Sequence, residues 1–401
     1  TTDINTTDRY TNTHHIHLCY LIHLFFSVIR EHTYTYAMVF RFISVSNFIN
    51  LFFTILCIII TFQQSNAQTT APRTDPSEVR ALNTIFQKWD VQIPRNLWNI
   101  SGEPCTGTAL GPDFDVAYNN PSIECNCTFD NNSTCHITKL KVTQLNRQGV
   151  IPEELAALTY LAVLKIDQNA FTGTLPLFLG NFSAMVILSL AHNRFHGTIP
   201  KELGNLKELA MLAVSSNNFS GSLPAELGNL VKMQQIYLDS SGVGGEIPST
   251  FANLLDMRVM WASDSPFSGK IPSFIGNWTK LESLRLQGNN FEGPIPASFS
   301  NLTSLNSLRI SDLQNVSSSL DFIISLKNLT DLVIRNALVS GPIPTEIVQL
   351  QKLRTLDLSF NNLNGSLPQT LMNMSSLVSL FLGNNSLSGS LLPDKSANLL
   401  N

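Results

Sequence analysis

Aromatic and arginine residues recur at a fixed spacing in the middle of this chain of 401 residues. Tyr237, Trp261, Arg285 and Arg309 follow one another at intervals of 24 residues. Exposed aromatic rings and guanidinium groups are enriched at binding hot spots, and arginine pairs bidentately with carboxylates. The chemistry predicted here is noncovalent recognition of an anion. The candidate ligand-binding residues are Tyr237, Asp239, Trp261, Arg285, Arg309 and Arg335.

Two interpretations of this group stay open. If the residues lie on neighbouring strands, Arg285 and Arg309 stand opposite each other, and like charges in that arrangement are destabilising. A partner bringing negative charge would relieve them: a peptide carboxylate, a uronic-acid unit of a carbohydrate, or an acidic patch on a partner protein. The alternative is a self-satisfied surface, with Arg285 stacked on Trp261 and Arg335 diagonal to Asp357.

Other kinds of chemistry have little support in the sequence. His14, His15 and His17 are clustered, but no further ligands stand at zinc-site spacing, so we expect no metal. No nucleophile is paired with a base, and no glycine-rich phosphate loop or kinase catalytic motif occurs, so we expect no catalytic residues. Charged residues make up 13% of the chain and the net charge is −4, which argues against nucleic-acid binding.

The element that must position the candidate residues is a repeat of 24 residues. Leu281 to Pro296, LESLRLQGNNFEGPIP, shows the pattern, and nine prolines from Pro152 to Pro368 stand in one register. Leu284 and Leu286 alternate with polar residues, as in a short strand with one buried face. A stacked asparagine such as Asn289 can bond the backbone of its own coil and of the next. This pattern is the leucine-rich repeat.

The predicted fold class is therefore an α/β solenoid: a right-handed leucine-rich-repeat superhelix of 24-residue plant-type coils with a parallel sheet on its concave face. The coils occupy residues 137–401 and contain about eleven strands. The coil from Leu305 to Ser325 is irregular, with Leu320 in the proline position, and we expect a reshaped coil there. Since solenoids need capped ends and no closing cap is visible, we expect the chain to be a fragment with coils continuing beyond Asn401.

The first 67 residues do not share the repeat. Residues 1–37 precede the first methionine, Met38, and we interpret them as non-native upstream translation. Residues 38–67 predict a signal peptide, with Arg41, an apolar run and small residues before a cut at Gln68. The other interpretation of the apolar run is a membrane anchor, for which it is rather short.

Residues 68–136 predict a disulfide-bonded N-terminal cap. Asp75 to Trp89 has the apolar spacing of an amphipathic helix, with Pro76 in its first turn. The four cysteines Cys105, Cys125, Cys127 and Cys135 behind a signal peptide predict two disulfides. Three connectivities are possible, and Cys125–Cys127 is the least favoured because strand neighbours point to opposite faces.

Many glycosylation sequons accompany the predicted secretion. They begin at Asn99, Asn131, Asn132, Asn181, Asn218, Asn277, Asn301, Asn315, Asn328, Asn364, Asn373 and Asn384. Asn126 also begins a sequon, but we expect the neighbouring cysteines to shield it.

Several stretches carry a family resemblance. The cap residues Ser101 to Cys105 (SGEPC), together with Ser317 to Phe322 (SSSLDF) and Phe274 to Leu281 (FIGNWTKL), resemble plant leucine-rich-repeat receptor-like serine/threonine kinases of the branch with a malectin-like domain. The resemblance covers about residues 75–401. It implies an extracellular module that binds a ligand or a co-receptor ectodomain, anchored in the plasma membrane by a span outside this chain. ATP and Mg²⁺ are implied only for a kinase domain that this sequence lacks.

A second class of function uses the same repeat. Secreted inhibitors of cell-wall hydrolases, similar to polygalacturonase-inhibiting proteins, are also plant leucine-rich-repeat solenoids. The SGEPC stretch and the irregular coil favour the receptor. Some related peptide receptors carry two arginines one residue apart on a strand, and no coil here does, which weighs against capture of a C-terminal carboxylate.

Overall fold

The computed structural model describes residues 49–58, 71–93 and 102–389. The chain divides into two compact units, Thr1–Ala71 and Pro72–Asn401. In the first unit, residues 49–58 are helical. No helix within the described ranges is both long and apolar enough to span a membrane. Residues 1–37, the predicted cleavage site, Asn99 and residues 390–401, which form the end of the last predicted coil, lie outside those ranges.

The second unit begins with the predicted cap helix, which spans Pro76–Lys88. The Asp75 carboxylate caps it by accepting the N–H groups of Ser77 and Glu78. On its inner face Leu82, Ile85 and Phe86 are buried, as predicted. Glu78 is buried there as well, and its carboxylate accepts the N–H of Ile137 over 2.7 Å and contacts Nδ1 of His136 over 2.7 Å. A buried carboxylate therefore joins the helix to the first coil.

The four cap cysteines form two disulfides, Cys105–Cys125 and Cys127–Cys135. Both involve the antiparallel pair of strands Ser122–Phe129 and Thr134–Lys141. The second of these strands is also the first strand of the coil stack, because its other edge pairs in parallel with Val163–Lys165. The disulfides thus hold the cap directly on the sheet.

One sheet of 13 strands runs through the whole unit. Outside the antiparallel cap strand, all its pairs are parallel, and neighbouring coils pair residues 24 positions apart, such as Leu284 with Leu308. Its strands are Arg73–Thr74, Ser122–Phe129, Thr134–Lys141, Val163–Lys165, Ile187–Ser189, Met211–Ala213, Gln235–Tyr237, Val259–Trp261, Ser283–Arg285, Ser307–Ser311, Asp331–Arg335, Thr355–Asp357 and Ser379–Phe381.

Short strands and 3-10 turns form the rest of each coil. Further strands, paired in parallel in three smaller sheets, are Gln148–Gly149, Ala170–Gly173, Arg194–Gly197, Asn218–Phe219, Ser268–Lys270, Asn290–Glu292, Ser340–Gly341, Asn362–Ser366 and Ser386–Ser388. The 3-10 segments are Gly107–Leu110, Asp113–Asp115, Glu153–Ala157, Leu177–Asn181, Lys201–Asn205, Ala225–Asn229, Ser249–Asn253, Ser273–Asn277, Ala297–Asn301, Asp321–Ser325, Thr345–Gln349 and Gln369–Asn373.

The predicted asparagine ladder is present. Asn193 is buried; its amide donates to the carbonyls of Ile166 and Leu190, and its Oδ1 accepts the N–H of Phe171 in the preceding coil. At Ser265, where the asparagine is replaced, the hydroxyl still donates to the Leu238 carbonyl over 3.0 Å. The ladder therefore satisfies the buried turn amides between coils.

Glycine sets the spacing of the 3-10 segments in several coils. A Cβ placed on Gly180 would collide with the backbone of Glu202 in the next coil. The same collision recurs between Gly204 and Glu226 and between Gly276 and Ser298, each time 22 residues further along the chain. The backbones of these coils approach more closely than any residue with a side chain would allow.

The irregular coil is reshaped, as expected. The buried side chain of Leu320 takes the place of the usual proline at the start of the 3-10 segment Asp321–Ser325. The Ser318 hydroxyl accepts the N–H of Ile295 over 2.7 Å. On the opposite side, the strands Ser307–Ser311 and Asp331–Arg335 pair over five residues where most coils pair over three. The concave sheet is therefore widest beside Arg309 and Arg335.

Candidate functional site

The sheet brings the predicted central column together in register. Tyr237 pairs with Trp261, Trp261 with Arg285, and Arg285 with Arg309. Their side chains alternate with buried leucine, isoleucine and methionine residues on the inner face. Four residues that are far apart in sequence thus form one row across the concave sheet.

Trp261 is the centre of this row. Its ring contacts the Tyr237 ring edge-on, with centroids 5.1 Å apart, and the Arg285 guanidinium lies 3.7 Å from the Trp261 ring centroid. The indole N–H donates to the Ser283 hydroxyl over 2.9 Å. These contacts fix the ring and hold the guanidinium over it, so the contact of Arg285 with Trp261 expected under the self-satisfied interpretation is present.

Tyr237 is fixed in a similar way. Its hydroxyl donates to Oε1 of Gln235 over 3.0 Å. Burial raises the pKa of the Tyr237 hydroxyl, and the positive charge of Arg285 only partly opposes this. Tyr237 therefore stays a neutral phenol at physiological pH and adds no charge to the row.

Arg309 has a partner that we did not predict. Its Nε donates to Oδ2 of Asp331 over 2.7 Å, and Asp331 also accepts from the Ser307 hydroxyl. Asp331 lies on the next strand, two residues before Val333, the residue that pairs with Arg309. It is therefore outside the central column, and its contact with Arg309 agrees with the self-satisfied interpretation of this part of the surface.

The expected pairing of Arg335 with Asp357 was also wrong. The Arg335 guanidinium lies 4.6 Å from the centroid of the Phe360 ring. Asp357 instead accepts the N–H and hydroxyl of Ser359, two residues along its own coil. Both Arg335 and Phe360 are exposed, so this positive charge faces solvent.

Asp239, the remaining candidate, has a structural contact. Its carboxylate accepts the N–H of Ser263 in the next coil over 2.9 Å. Asp167 makes the equivalent bond, to the N–H of Ala191 three coils earlier. Asp239 therefore belongs to a recurring link between coils, and it adds a negative charge beside the aromatic pair.

The lysines of the first two coils contact the cap and are therefore less available to a ligand than the arginines of the row. Lys139, Lys141 and Lys165 all lie within 5.8 Å of the Phe114 ring centroid. Lys141 is buried and donates to the carbonyls of Phe114 and Val116, and burial lowers its pKa. Lys165 pairs with Asp115 over 2.6 Å. The cap loop thus covers the concave face of the first two coils.

A comparison with protein families supports the fold. The family model described as Leucine Rich Repeat matches residues 185–206, 280–302 and 352–374. Together with the in-register parallel sheet and the asparagine ladder, these matches decide the architecture. The chain is a leucine-rich-repeat solenoid.

Sequence relatives of this leucine-rich-repeat chain are named as receptor kinases. A probable LRR receptor-like serine/threonine-protein kinase of Arabidopsis thaliana is 49% identical over 111 residues, which are 26% of this chain and 10% of that protein. Another of the same description and organism is 49% identical over 95 residues, 23% of this chain and 9% of that protein. The chain spans about a tenth of the length of the curated relatives it matches. The predicted malectin-like branch stays a prediction.

Solved structures similar to the chain are plant leucine-rich-repeat receptor ectodomains. The plant peptide hormone receptor RGFR1 in complex with RGF2 has a TM-score of 0.62 and 29% identity, covering 65% of this chain and 42% of that one. A TDR receptor also has a TM-score of 0.62, with 33% identity and coverage of 65% and 46%. The complex of PEPR1 with AtPEP1 has a TM-score of 0.61 and 29% identity, covering 78% of this chain and 45% of that one.

The sequons lie away from the concave columns of the leucine-rich repeats. Asn181, Asn277, Asn301 and Asn373 occupy one position at the end of the 3-10 segments and are exposed. The other described candidates are exposed too, namely Asn131, Asn132, Asn218, Asn315, Asn364 and Asn384. Asn126 is exposed as well, so the expectation that cysteines shield it was wrong.

Asn328 differs from these sequons. It is half-buried, its amide donates to the Thr303 carbonyl over 2.9 Å, and its Oδ1 accepts from Lys352 over 2.7 Å. A glycan there would be attached to Nδ2, the nitrogen that donates to Thr303. No glycan predicted on the described residues would stand in the row from Tyr237 to Arg309.

Sequence reasoning missed two residues of the site. Asp331 could have been found, because it is offset from Arg309 by one strand and by two residues along the strand, a diagonal neighbour in the repeat register. Phe360 gave no such signal: it follows its strand at φ 56°, a conformation that favours glycine or asparagine. The described residues contain no group of three or more His, Cys, Asp or Glu side chains that could hold a metal.

Proposed function

We propose that this chain is the extracellular ligand-binding module of a plant receptor-like protein kinase, which transmits the binding event across the plasma membrane. The observation that carries the proposal is the row of Tyr237, Trp261, Arg285 and Arg309 on a part of the concave sheet that carries no sequon. The chain itself contributes binding, and the kinase, with its ATP and Mg²⁺, would belong to a part of the protein outside this sequence.

The proposed ligand is a peptide, with a co-receptor ectodomain as a further partner. One of the similar solved structures is described as a plant peptide hormone receptor in complex with RGF2, which supports this class. The row also has the composition of a binding hot spot: two large aromatic residues and two arginines clustered on neighbouring strands. A cell-wall carbohydrate has less support, because Arg285 and Tyr237 contact the Trp261 ring on which a sugar would stack.

A binding experiment on the secreted, glycosylated protein tests the proposal. We expect the immobilised protein to retain a subset of a randomised synthetic peptide library, and Trp261→Ala to lose that subset. Tyr118→Ala is the matched control, since Tyr118 is 79% exposed in the cap and outside the row. Equal retention by wild type and Trp261→Ala would contradict a concave binding site.

The alternative as a hydrolase inhibitor needs its own assay. The same preparation is mixed with a polygalacturonase, and the release of reducing sugar is measured. The receptor proposal expects no inhibition at protein concentrations that saturate peptide binding. Stoichiometric inhibition, lost in the Trp261→Ala variant, would show that the row serves an enzyme inhibitor instead.

A further inference from the structure

The three arginines of the site are in different electrostatic states. Arg309 is neutralised by Asp331, and Arg335 lies on the exposed Phe360 ring. Arg285 is held against Trp261, and within the described ranges it has no carboxylate at ion-pair distance. Its Nε is buried without a hydrogen-bond partner. Of the two arginines in the row, Arg285 is the one left to pair with an anion.

The stacking contact prepares Arg285 for this role. A cation–π contact leaves the hydrogen-bond donors of a guanidinium unused, so they can still meet an oxyanion, and the ordered side chain loses less conformational entropy on binding. Trp261 is itself fixed by its bond to Ser283 and by the edge of Tyr237. The Arg285 side chain is therefore preorganised before a ligand binds.

The charges around Arg285 restrict the ligand further. Asp239 lies two strands before Arg285 and Asp331 two strands after it, in the outer columns on opposite sides of the row. Asp331 is paired with Arg309, whereas Asp239 has no cation at ion-pair distance among the described residues. From the strand spacing and the rise per residue, the backbone positions of Asp239 and Arg285 are about 12 Å apart. A polyanion crossing this surface would meet the Asp239 carboxylate, whereas a single anion with a neighbouring cationic group would meet opposite charges.

The ring contacts also weigh against a sugar ligand. Sugars bind proteins by stacking on an open aromatic face, but Arg285 lies on Trp261 and the Tyr237 ring meets it edge-on. An oligogalacturonide would in addition be a polyanion. Both features favour a peptide over an acidic polysaccharide.

We propose that Arg285 is the anchor for one isolated acidic side chain of a peptide ligand, flanked in that peptide by a basic residue that faces Asp239. This inference rests on the proposed function and names its ligand class. Arg309, whose charge is offset by Asp331, contributes less to the recognition of the anion than Arg285.

The test compares two arginine variants on one peptide library. The library is randomised and amidated at its C-termini, and the proteins are wild type, Arg285→Gln and the matched control Arg258→Gln, an exposed arginine outside the row that is paired with Glu282. We expect wild type and Arg258→Gln to enrich peptides with one Asp or Glu beside Lys or Arg. Loss of a charge-assisted hydrogen bond predicts that Arg285→Gln binds these peptides at least about tenfold more weakly. Thermal unfolding of each variant verifies that it is folded.

The outcomes separate this inference from the proposed function. Peptide enrichment that is the same for wild type and Arg285→Gln leaves the receptor proposal intact and overturns the Arg285 anchor. Enrichment of polyacidic peptides, or dependence on a free C-terminal carboxylate in a second library, also overturns it. Tight binding of oligogalacturonides with no peptide enrichment contradicts both proposals.

Discussion

Arg309 and Asp331 form an ion pair across neighbouring strands, with Nε and Oδ2 2.7 Å apart. The pair removes one of the two positive charges that the sequence places side by side. It also links two strands at the widest part of the concave sheet. Arg285, one strand away, has no such partner among the described residues, so identical side chains in one column serve different purposes.

The first prediction concerns the strength of this ion pair. The side chains of Arg309 and Asp331 are 36% and 18% exposed, so solvent screens the charges and the coupling should be about 0.5–1 kcal/mol. A double-mutant cycle with Arg309→Ala and Asp331→Ala, measured by chemical denaturation, gives this energy. Lys232 and Glu208, which are 56% and 46% exposed, provide a control pair with weaker coupling. A coupling no larger than that of the control pair would contradict a structural role for Arg309.

The second prediction concerns the disulfides of the cap. Cys105–Cys125 closes a loop over 20 residues and Cys127–Cys135 over 8. Because loop-closure entropy grows with the logarithm of loop length, the longer bridge should contribute about 1 kcal/mol more, within a total of ~2–5 kcal/mol for a native bridge. Unfolding free energies of the two paired Cys→Ala variants check this order. Non-reducing peptide mapping that found other pairs would reject the assignment.

The third prediction concerns the asparagine ladder. Asn193→Ala leaves the N–H of Phe171 without its partner, and an unsatisfied buried group costs about 1–3 kcal/mol. The carbonyls of Ile166 and Leu190 lose one donor each but still accept from Asn169 and Asn217. We expect a loss of roughly 1–3 kcal/mol in the free energy of unfolding by that rule. Asn193→Ser should lose less, since the Ser265 hydroxyl at the equivalent position still donates to the Leu238 carbonyl of the preceding coil. The control Asn205→Ala, at an exposed position of the following coil, should change stability by less than about 0.5 kcal/mol.

The fourth prediction concerns pH. Burial raises the pKa of Asp167 despite its bonds to Ser189 and Ala191, so its ionisation opposes folding. Its contribution to stability is fully present below the unfolded pKa of about 3.9 and is lost as pH rises through the folded value. Asp167→Asn should therefore gain stability relative to wild type as pH rises above about 4.

Asp75 provides a control of the opposite sign. Its hydrogen bonds with Ser77 hold its pKa below the ordinary value. Its contribution is present above the unfolded pKa and is lost as pH falls through the folded one. Denaturation curves of Asp167→Asn and Asp75→Asn between pH 3 and 7 should show difference curves of opposite slope. Parallel curves would mean that these carboxylates do not titrate as the structure indicates.

Sequence periodicity predicted the fold well because each coil repeats the same physical problem. Leu284 marks a strand with one buried face, Asn289 a turn whose buried backbone groups are hydrogen-bonded, and Pro296 the end of the extended segment. Strands of neighbouring coils then pair residues that are 24 positions apart in the sequence. The row from Tyr237 to Arg309 was predictable from this register alone. What periodicity could not supply was the direction of each long side chain. The Arg335 side chain lies over the Phe360 ring and does not pair with Asp357. Glu78, a charged residue, lies on the buried face of the cap helix, which the apolar spacing did not predict.

The glycines at the 3-10 segments have a consequence for how such an array can grow or shrink. Gly180, Gly204 and Gly276 each tolerate the close backbone of the coil that follows, so coils of this kind are interchangeable neighbours in a duplication or deletion. Ile324 and Val348 occupy the same position in later coils, and their Cβ atoms demand a wider gap. Unequal crossing-over should therefore leave intact proteins when it joins two glycine coils. When it places a coil with a large residue at this position, such as Ile324, before a coil whose backbone normally packs against glycine, the product must repack or fail to fold.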